Sequence, residues 1–203
     1  MSGPGEPAWP VEISGRWPVS RTEELAVGRI ARFCRDTVRM PDGHEVSREY
    51  FEHPGAVAIV ALDESGRVLM IRQYRHPAGW QLWELPAGLR DVAGEPPLLT
   101  AQRELAEETG YQAANWRELV DFFCSPGISG ERITVYLATA VSPIAGHEAS
   151  HQRVDEEAHL LIEWVPLSEV VSAFLAGELR NGVMALGVLT AYAATLAEPG
   201  VPR

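Results

Sequence analysis

Apolar and polar positions partly alternate along the N-terminal part of the chain, which predicts extended strands. The alternation runs over residues 25–40, and it resumes over Glu45–Glu52 after the turn-forming segment Pro41–His44. Because successive side chains of a strand point to opposite faces, this period is typical of half-buried strands. We therefore predict a small β-meander over residues 11–54. A disordered tail rich in proline and glycine precedes it, at residues 1–10.

A continuous apolar run follows and indicates the buried centre of a larger domain. Ala56–Leu62 is apolar throughout and rich in branched residues, which is typical of a strand that is covered on both faces. Asp63–Gly66 then forms a turn, and Arg67–Tyr74 is predicted as a second strand. The two strands are predicted to pair as a hairpin.

The segment 96–110 carries start and stop signals of a helix. Pro96 and Pro97 open it, where a missing amide hydrogen costs nothing, and Gly110 closes it in the left-handed conformation. Beyond it we predict strands and then helices, at residues 118–124, 132–140, 160–165, 167–176 and 183–197. The order of elements predicts a mixed α/β domain over residues 55–198.

Composition and charge exclude several classes of function. The net charge is −11, and all 17 basic residues are arginine, so a general nucleic-acid surface is not predicted. No secretory leader or run of about 20 apolar residues is present, so we expect a cytoplasmic protein that does not enter a membrane. Cys34 and Cys124 lie far apart and are predicted to be packing residues, without a disulfide or a structural zinc site.

Three glutamates on the predicted helix are the main candidates for chemistry. Glu104, Glu107 and Glu108 stand at i, i+3 and i+4, so their carboxylates share one face and repel each other. A divalent hard cation reverses this repulsion, because Mg²⁺ and Mn²⁺ prefer carboxylate oxygen. Arg103 can pair with Glu107 at i,i+4, and the alternative for the three acids is a solvated acidic face.

The acids also belong to a longer pattern that resembles the Nudix hydrolase signature, G-x5-E-x7-R-E-U-x-E-E-x-G-U, in which U is apolar. Eight positions match in register: Glu95, Arg103, Glu104, Leu105, Glu107, Glu108, Gly110 and Tyr111. Gly88 departs from the pattern, because six residues instead of five separate it from Glu95. We expect the extra residue to bulge the loop without rotating the carboxylate face. The resemblance implies a Nudix-type α/β/α sandwich with a mixed sheet.

The resemblance also implies roles for the residues of this segment. Glu104 and Glu108 would be the main ligands of two or three Mg²⁺ or Mn²⁺ ions, with Glu107 as a further ligand or helper. The carbonyl of Ala87 would also coordinate. Glu95 and Arg103 would form a structural pair, and Gly88 and Gly110 would shape the backbone.

Features outside the signature resemble the ADP-ribose pyrophosphatase branch, and its actinobacterial members in particular. They are Pro126, 16 residues after Gly110, and the segments 73–75 and 83–88. The resemblance to that branch implies that Arg75 contacts the pyrophosphate or the terminal ribose phosphate, which suits the planar fork of a guanidinium. Glu131 would contact the terminal ribose or support the metals.

The N-terminal meander and a late acidic segment supply the remaining candidates. By resemblance Arg48 and Glu49 would contact the adenine, and Tyr50 or Phe51 would either stack on the base or belong to the core. Glu157 would be the general base on a mobile loop, with Glu156 as the alternative. The neighbouring histidines are not predicted to bind zinc, since their spacing lies in a polar, loop-like stretch: His147, His151 and His159.

The activity implied is metal-dependent hydrolysis of ADP-ribose to AMP and ribose 5-phosphate, by in-line attack of water. Two alternatives remain: a hydrolase of another nucleoside diphosphate sugar, such as ADP-glucose or GDP-mannose, and a non-catalytic sensor that binds ADP-ribose. The meander is too small to hold much core of its own, so we expect a homodimer with active sites shared between subunits.

Overall fold

The computed structural model describes residue 12, residues 14–146 and residues 160–197, and its contacts divide the chain between Glu52 and His53. The first unit contains the predicted meander, whose strands are β1 (Val19–Val27), β2 (Arg32–Arg39) and β3 (Glu45–Glu52). They form an antiparallel sheet in the order β1-β2-β3.

Cross-strand pairs hold this small sheet together, as expected for neighbouring positions of paired strands. Phe33 packs against Phe51 with ring centroids 4.9 Å apart, and the Arg35 guanidinium donates to Glu49 over 2.6 Å. Asp36 is buried and accepts a hydrogen bond from the Thr22 hydroxyl at 2.7 Å. The sheet therefore combines an aromatic pair with satisfied polar groups.

The second unit is a mixed α/β arrangement of two sheets and three helices. Its strands are β4 (Ala56–Ala61), β5 (Arg67–Arg75), β6 (Trp80–Glu84), β7 (Ala87–Leu89), β8 (Tyr111–Phe123), β9 (Arg132–Pro143) and β10 (Leu161–Pro166). Its helices are α1 (Pro97–Thr109), α2 (Leu167–Leu175) and α3 (Gly182–Ala197). One sheet has the order β7-β4-β9-β8, in which β4 and β9 run parallel, and the other has the order β10-β5-β6.

The predicted hairpin between the first two strands of this unit is wrong. A single bridge joins Leu62 to Val68, after which β5 enters the other sheet and pairs with β6 and β10. All six residues of β4 are buried, because this strand lies between β7 and β9 in the first sheet and is covered on both faces. Two short strands, β6 and β7, were not predicted.

The layers form on the two faces of β4. Val57, Ile59 and Ala61 face a cluster that contains Ala101 and Leu105 of α1, and alternate residues face a cluster that contains α3. Gly187 lets α3 approach closely, since a Cβ there would lie 2.6 Å from Leu85 Cδ1. The predicted α/β/α layering is confirmed, and it fixes α1 against the edge of the sheet.

Helix α1 begins and ends where the sequence predicts. Pro97 is its first residue, and Gly110 adopts φ +76° and donates its amide hydrogen to the Ala106 carbonyl at 2.9 Å. Elsewhere Cys34 is buried, but Cys124 is exposed, so its prediction as a packing residue is wrong. Within the described ranges, no helix is long and apolar enough to cross a membrane.

Candidate active site

Glu104 of α1 lies directly against the backbone of Gly88 in the edge strand β7. A Cβ at Gly88 would fall 1.9 Å from Glu104 Cδ and 2.2 Å from its Oε1, far inside van der Waals contact. Only glycine therefore leaves room for the carboxylate at this point. The extra residue between Gly88 and Glu95 does not disturb this contact.

Burial dominates the electrostatics of Glu104, whose side chain is only 14% exposed. Burial raises the pKa of Glu104 to about 7; the Arg103 charge opposes the change, and the negative charges of Glu107 and Asp91 add to it. A buried carboxylate beside other acids gains from any bound cation, because the cation stabilises its ionised form.

Glu108 joins α1 to the neighbouring residue of β7. Its side chain is buried, and Oε2 accepts a hydrogen bond from the Ala87 amide at 2.9 Å. In the pairing of β4 with β7, the Ile59 amide donates to the Pro86 carbonyl, and the Arg90 amide donates to the Gly55 carbonyl. Because hydrogen-bonded and non-hydrogen-bonded pairs alternate along antiparallel strands, Ala87 and Ala58 form a pair without hydrogen bonds to each other. The carbonyl of Ala87 therefore points away from β4, on the open side of an edge strand.

Arg103 connects the acids of this site. Its guanidinium donates to Glu104 Oε1 at 2.7 Å, to Glu107 Oε2 at 3.1 Å and to Glu95 Oε2 at 3.3 Å. Glu95 also accepts from the Thr100 hydroxyl at 2.8 Å, and these two hydrogen bonds, that from Arg103 first, lower the pKa of Glu95. The loop that precedes α1 is thereby tied to the helix face.

Replacing Arg103 by Met should destabilise the metal-free protein, because three carboxylates lose their shared cation. We expect Tm at pH 7 to fall by about 2–8 °C, measured by thermal unfolding in the presence of a chelator. The lowered pKa of Glu95 adds stability that is present above its ordinary value of 4.5 and lost on acidification below it. The difference between variant and wild type should therefore shrink below that pH, and a Tm unchanged at pH 7 would contradict the network.

The donors around α1 fit a hard divalent cation. They are the carboxylates of Glu104, Glu107 and Glu108 and a backbone carbonyl, all of them oxygen ligands. Arg103 occupies the space between Glu104 and Glu107, and in the described ranges no three acidic, histidine or cysteine side chains enclose a common point. Glu107 is the most open of the three, with 40% of its side chain exposed.

Arg75, the predicted phosphate contact, is paired with a carboxylate that the sequence analysis did not single out. Its Nη2 donates to Glu84 at 2.6 Å, and Glu84 is buried and also accepts from the Gln73 amide at 3.2 Å. The register of β5 on β6 creates this arrangement, since Ile71 lies opposite Glu84. A pairing set by strand register has no signal in the sequence.

Glu131 lies at the end of the turn that contains Pro126. Its amide donates to the Ser129 hydroxyl at 3.0 Å, and its Oε1 lies 3.8 Å from His53 Nδ1. Cys124 is exposed as a residue, but partial burial of its thiol raises the pKa to about 11, and the charge of Glu131 adds to the effect. This thiol is therefore protonated at neutral pH.

The remaining candidates lie in the first unit or outside the described ranges. In β3, Arg48 donates to the Ser47 carbonyl at 2.9 Å and Glu49 accepts from Arg35, and both side chains are exposed. Tyr50 is half-buried and Phe51 is exposed beside Phe33. The predicted bases and the three histidines lie outside the described residues: Glu156, Glu157, His147, His151 and His159.

Comparisons with known proteins show the family to which this fold and sequence belong. Residues 52–185 match the NUDIX domain model. The chain is 51% identical to the ADP-ribose pyrophosphatase of Mycobacterium tuberculosis over 86% of this chain and 82% of that protein. It is 32% identical to a GDP-mannose pyrophosphatase of Klebsiella pneumoniae, over 84% of this chain and 82% of that protein. A solved structure of an ADP compounds hydrolase shares the fold, with a TM-score of 0.74 at 19% identity over 92% of this chain and 98% of that one. The chain belongs to the Nudix family.

Proposed function

We propose that this protein hydrolyses the pyrophosphate bond of ADP-ribose to give AMP and ribose 5-phosphate, with the help of Mg²⁺ or Mn²⁺. The observation that carries the proposal is the joint placement of Glu104 on Gly88 and of Glu108 on Ala87, where α1 meets β7. The choice of substrate is supported by the identity to ADP-ribose pyrophosphatases of Mycobacterium tuberculosis and, at 31%, of Bacillus subtilis.

Four groups would hold two or three divalent ions. Glu104 and Glu108 would be the main ligands, and Glu107 and the carbonyl of Ala87 would complete the set. When bound, such ions neutralise the charge of a diphosphate and activate water for attack. Arg103 would release its hydrogen bonds to Glu104 and Glu107 while it keeps the bond to Glu95.

The protein's own contribution is to position the substrate and to take a proton. Glu157, with Glu156 as the alternative, would accept the proton of the attacking water, and attack would occur in line at the adenosyl phosphorus. Arg75 and Glu131 would contact the diphosphate and terminal ribose. The bond from Arg75 to the buried Glu84 would hold its guanidinium in orientation for a bidentate contact.

Paired variants should separate the two candidate bases. Because the amide of glutamine accepts no proton, Glu157→Gln should lower kcat by about 10²–10⁴ and leave KM for ADP-ribose within threefold. Glu156→Gln serves as the matched control and should retain most of the activity. The reverse result would assign the base to Glu156, and two active variants would remove both residues from the proton transfer.

A substrate panel tests the proposed function. The purified protein is incubated with ADP-ribose, ADP-glucose or GDP-mannose, with Mg²⁺ or with a chelator, and kcat/KM is compared. We expect cleavage only with metal and a preference for ADP-ribose. Faster cleavage of another sugar nucleotide would keep the chemistry and change the substrate, whereas saturable binding without cleavage would favour the sensor.

We further propose a homodimer in which the N-terminal meander of one subunit carries Arg48 and Glu49 to the adenine of the other subunit's ligand. The support is the small size of the meander, because a sheet of three strands is too small to hold much core of its own. Sedimentation at micromolar concentration should show twice the mass of one chain. A monomer would remove the shared contact. The cytoplasmic location remains a prediction from the sequence.

A further inference from the structure

Arg90 directly follows the edge strand β7, and its side chain lies on the same face of the sheet as the candidate metal site. Its amide donates to the Gly55 carbonyl at 3.1 Å, which continues the ladder beyond β7, and Gly88 lies opposite Val57 in the same register. Since side chains of a strand alternate, Gly88 and Arg90 share one face with their Cα atoms about 7 Å apart. That face is the one on which Glu104 covers Gly88.

The side chain of Arg90 lies beside Gly55, at the distance of an ordinary van der Waals contact, while the Arg132 carbonyl approaches Gly55 more closely. A Cβ at Gly55 would be 3.8 Å from Arg90 Cδ and 3.9 Å from its Nη1, and Gly55 itself adopts φ +90°. Arg90 is also near enough to Tyr136 of β9 to act on its phenol: burial, followed by the charge of Glu118, raises the pKa of Tyr136, and the charge of Arg90 opposes this change. Arg90 therefore extends across the end of the sheet face.

Arg90 differs from the other arginines near this site in having no anionic partner. Arg103 bonds three glutamates, Arg75 bonds Glu84, and Arg132 bonds Asp121. Among the described residues Arg90 makes no side-chain hydrogen bond or ion pair, and its Nε is buried without a hydrogen-bond partner. Arg103 Nε is also buried without a partner, but the other nitrogens of Arg103 bond three glutamates, whereas Arg90 bonds no carboxylate of the described residues. A buried donor without an acceptor is costly, so the Arg90 guanidinium gains free energy from an anionic ligand that supplies an acceptor.

We propose that Arg90 binds a phosphate oxygen of the nucleoside diphosphate ligand and so helps to determine specificity for diphosphates. The proposal rests on the proposed function, because it takes the face beside Glu104 as the place where the diphosphate lies. The planar guanidinium of Arg90 can bind phosphate through two parallel hydrogen bonds, and a diphosphate would supply the negative charge that this side chain does not find among the described residues. Arg90 lies just before the exposed Asp91, at the start of the loop that leads to α1.

Calorimetry with ADP and Mg²⁺ tests this role without turnover. Arg90→Leu should weaken ADP binding by about tenfold to a hundredfold and leave the affinity for adenosine, which lacks phosphate, unchanged. Arg90→Lys should lose less, because it keeps a point charge. Arg67→Leu is the control, since Arg67 is paired with Asp63 at the start of β5 and should bind ADP like the wild type. With ADP-ribose, Arg90→Leu should raise KM more than it lowers kcat.

The outcomes separate this proposal from the proposed function. Unchanged ADP affinity in Arg90→Leu, an equal loss for adenosine, or a wild type that binds no ADP would overturn the role of Arg90. If Arg90→Leu fails to fold by thermal unfolding, Arg90→Lys decides by the same comparison of ADP with adenosine. A wild type that binds ADP through Arg90 but cleaves no ADP-ribose would refute the hydrolase alone.

Discussion

Glu108→Gln should lower kcat/KM for ADP-ribose by about 10²–10⁴, because a proposed metal ligand loses its charge and, with it, much of the several kcal/mol of stabilisation that the metal would supply. The fold should survive, since the amide oxygen of Gln can still accept the hydrogen bond from the Ala87 amide. The side chain is buried and its shape is kept, so no cavity opens. Steady-state kinetics with Mg²⁺, together with Mn²⁺ binding by calorimetry, would measure both effects.

Glu169→Gln is the matched control for this variant. Glu169 lies in the first turn of α2, is exposed, and should tolerate the change without loss of rate or metal affinity. Thermal unfolding of the two variants would show whether either loses structure. A Glu108→Gln protein that turns over within threefold of the wild type would remove Glu108 from the metal site.

Gly88→Ala should reduce turnover by about a hundredfold or more, although it adds a single methyl group. The new Cβ would lie 1.9 Å from Glu104 Cδ, so the carboxylate must leave its position or β7 must shift away from α1. A displacement of about 1 Å at a reacting site is enough for such a loss. Mn²⁺ affinity should fall in parallel, because Glu104 would no longer lie beside the other proposed ligands.

Gly182→Ala supplies the control for an added methyl group. Gly182 begins α3, and a Cβ there would meet nothing within 4 Å. Its activity and Tm should match or exceed those of the wild type, since alanine favours the helix. An active Gly88→Ala enzyme with unchanged Mn²⁺ affinity would show that the contact between Gly88 and Glu104 is not required.

Local sequence signals were enough to predict the elements that turn-forming or helix-ending residues and a hydrophobic period define. Helix α1 followed from its prolines and Gly110, and the meander followed from alternation and a turn segment. The pairing of strands was not predictable in the same way. Ala56–Leu62 was identified as buried, but burial on both faces fits the centre of a sheet as well as a hairpin, and β5 joined another sheet. The short strands β6 and β7 contain too few residues to show the two-residue hydrophobic period by which a strand is predicted.

The candidate site shows the same division between local and register-dependent features. The spacing of Glu104, Glu107 and Glu108 predicted a shared helix face, and Arg103 was expected beside Glu107. The close contact between Gly88 and Glu104 depends on how α1 lies on β7, which spacing alone does not reveal. The pair of Arg75 with Glu84 and the unpartnered guanidinium of Arg90 arise from strand register.

Hydrolysis of ADP-ribose in ¹⁸O-labelled water with Mg²⁺, followed by mass spectrometry of the products, tests the proposed activity most directly. We expect equal amounts of AMP and ribose 5-phosphate, one ¹⁸O atom in the phosphate of AMP, and no cleavage when a chelator replaces the metal. Uncleaved ADP-ribose in the presence of Mg²⁺, or products that form equally well without metal, would contradict it.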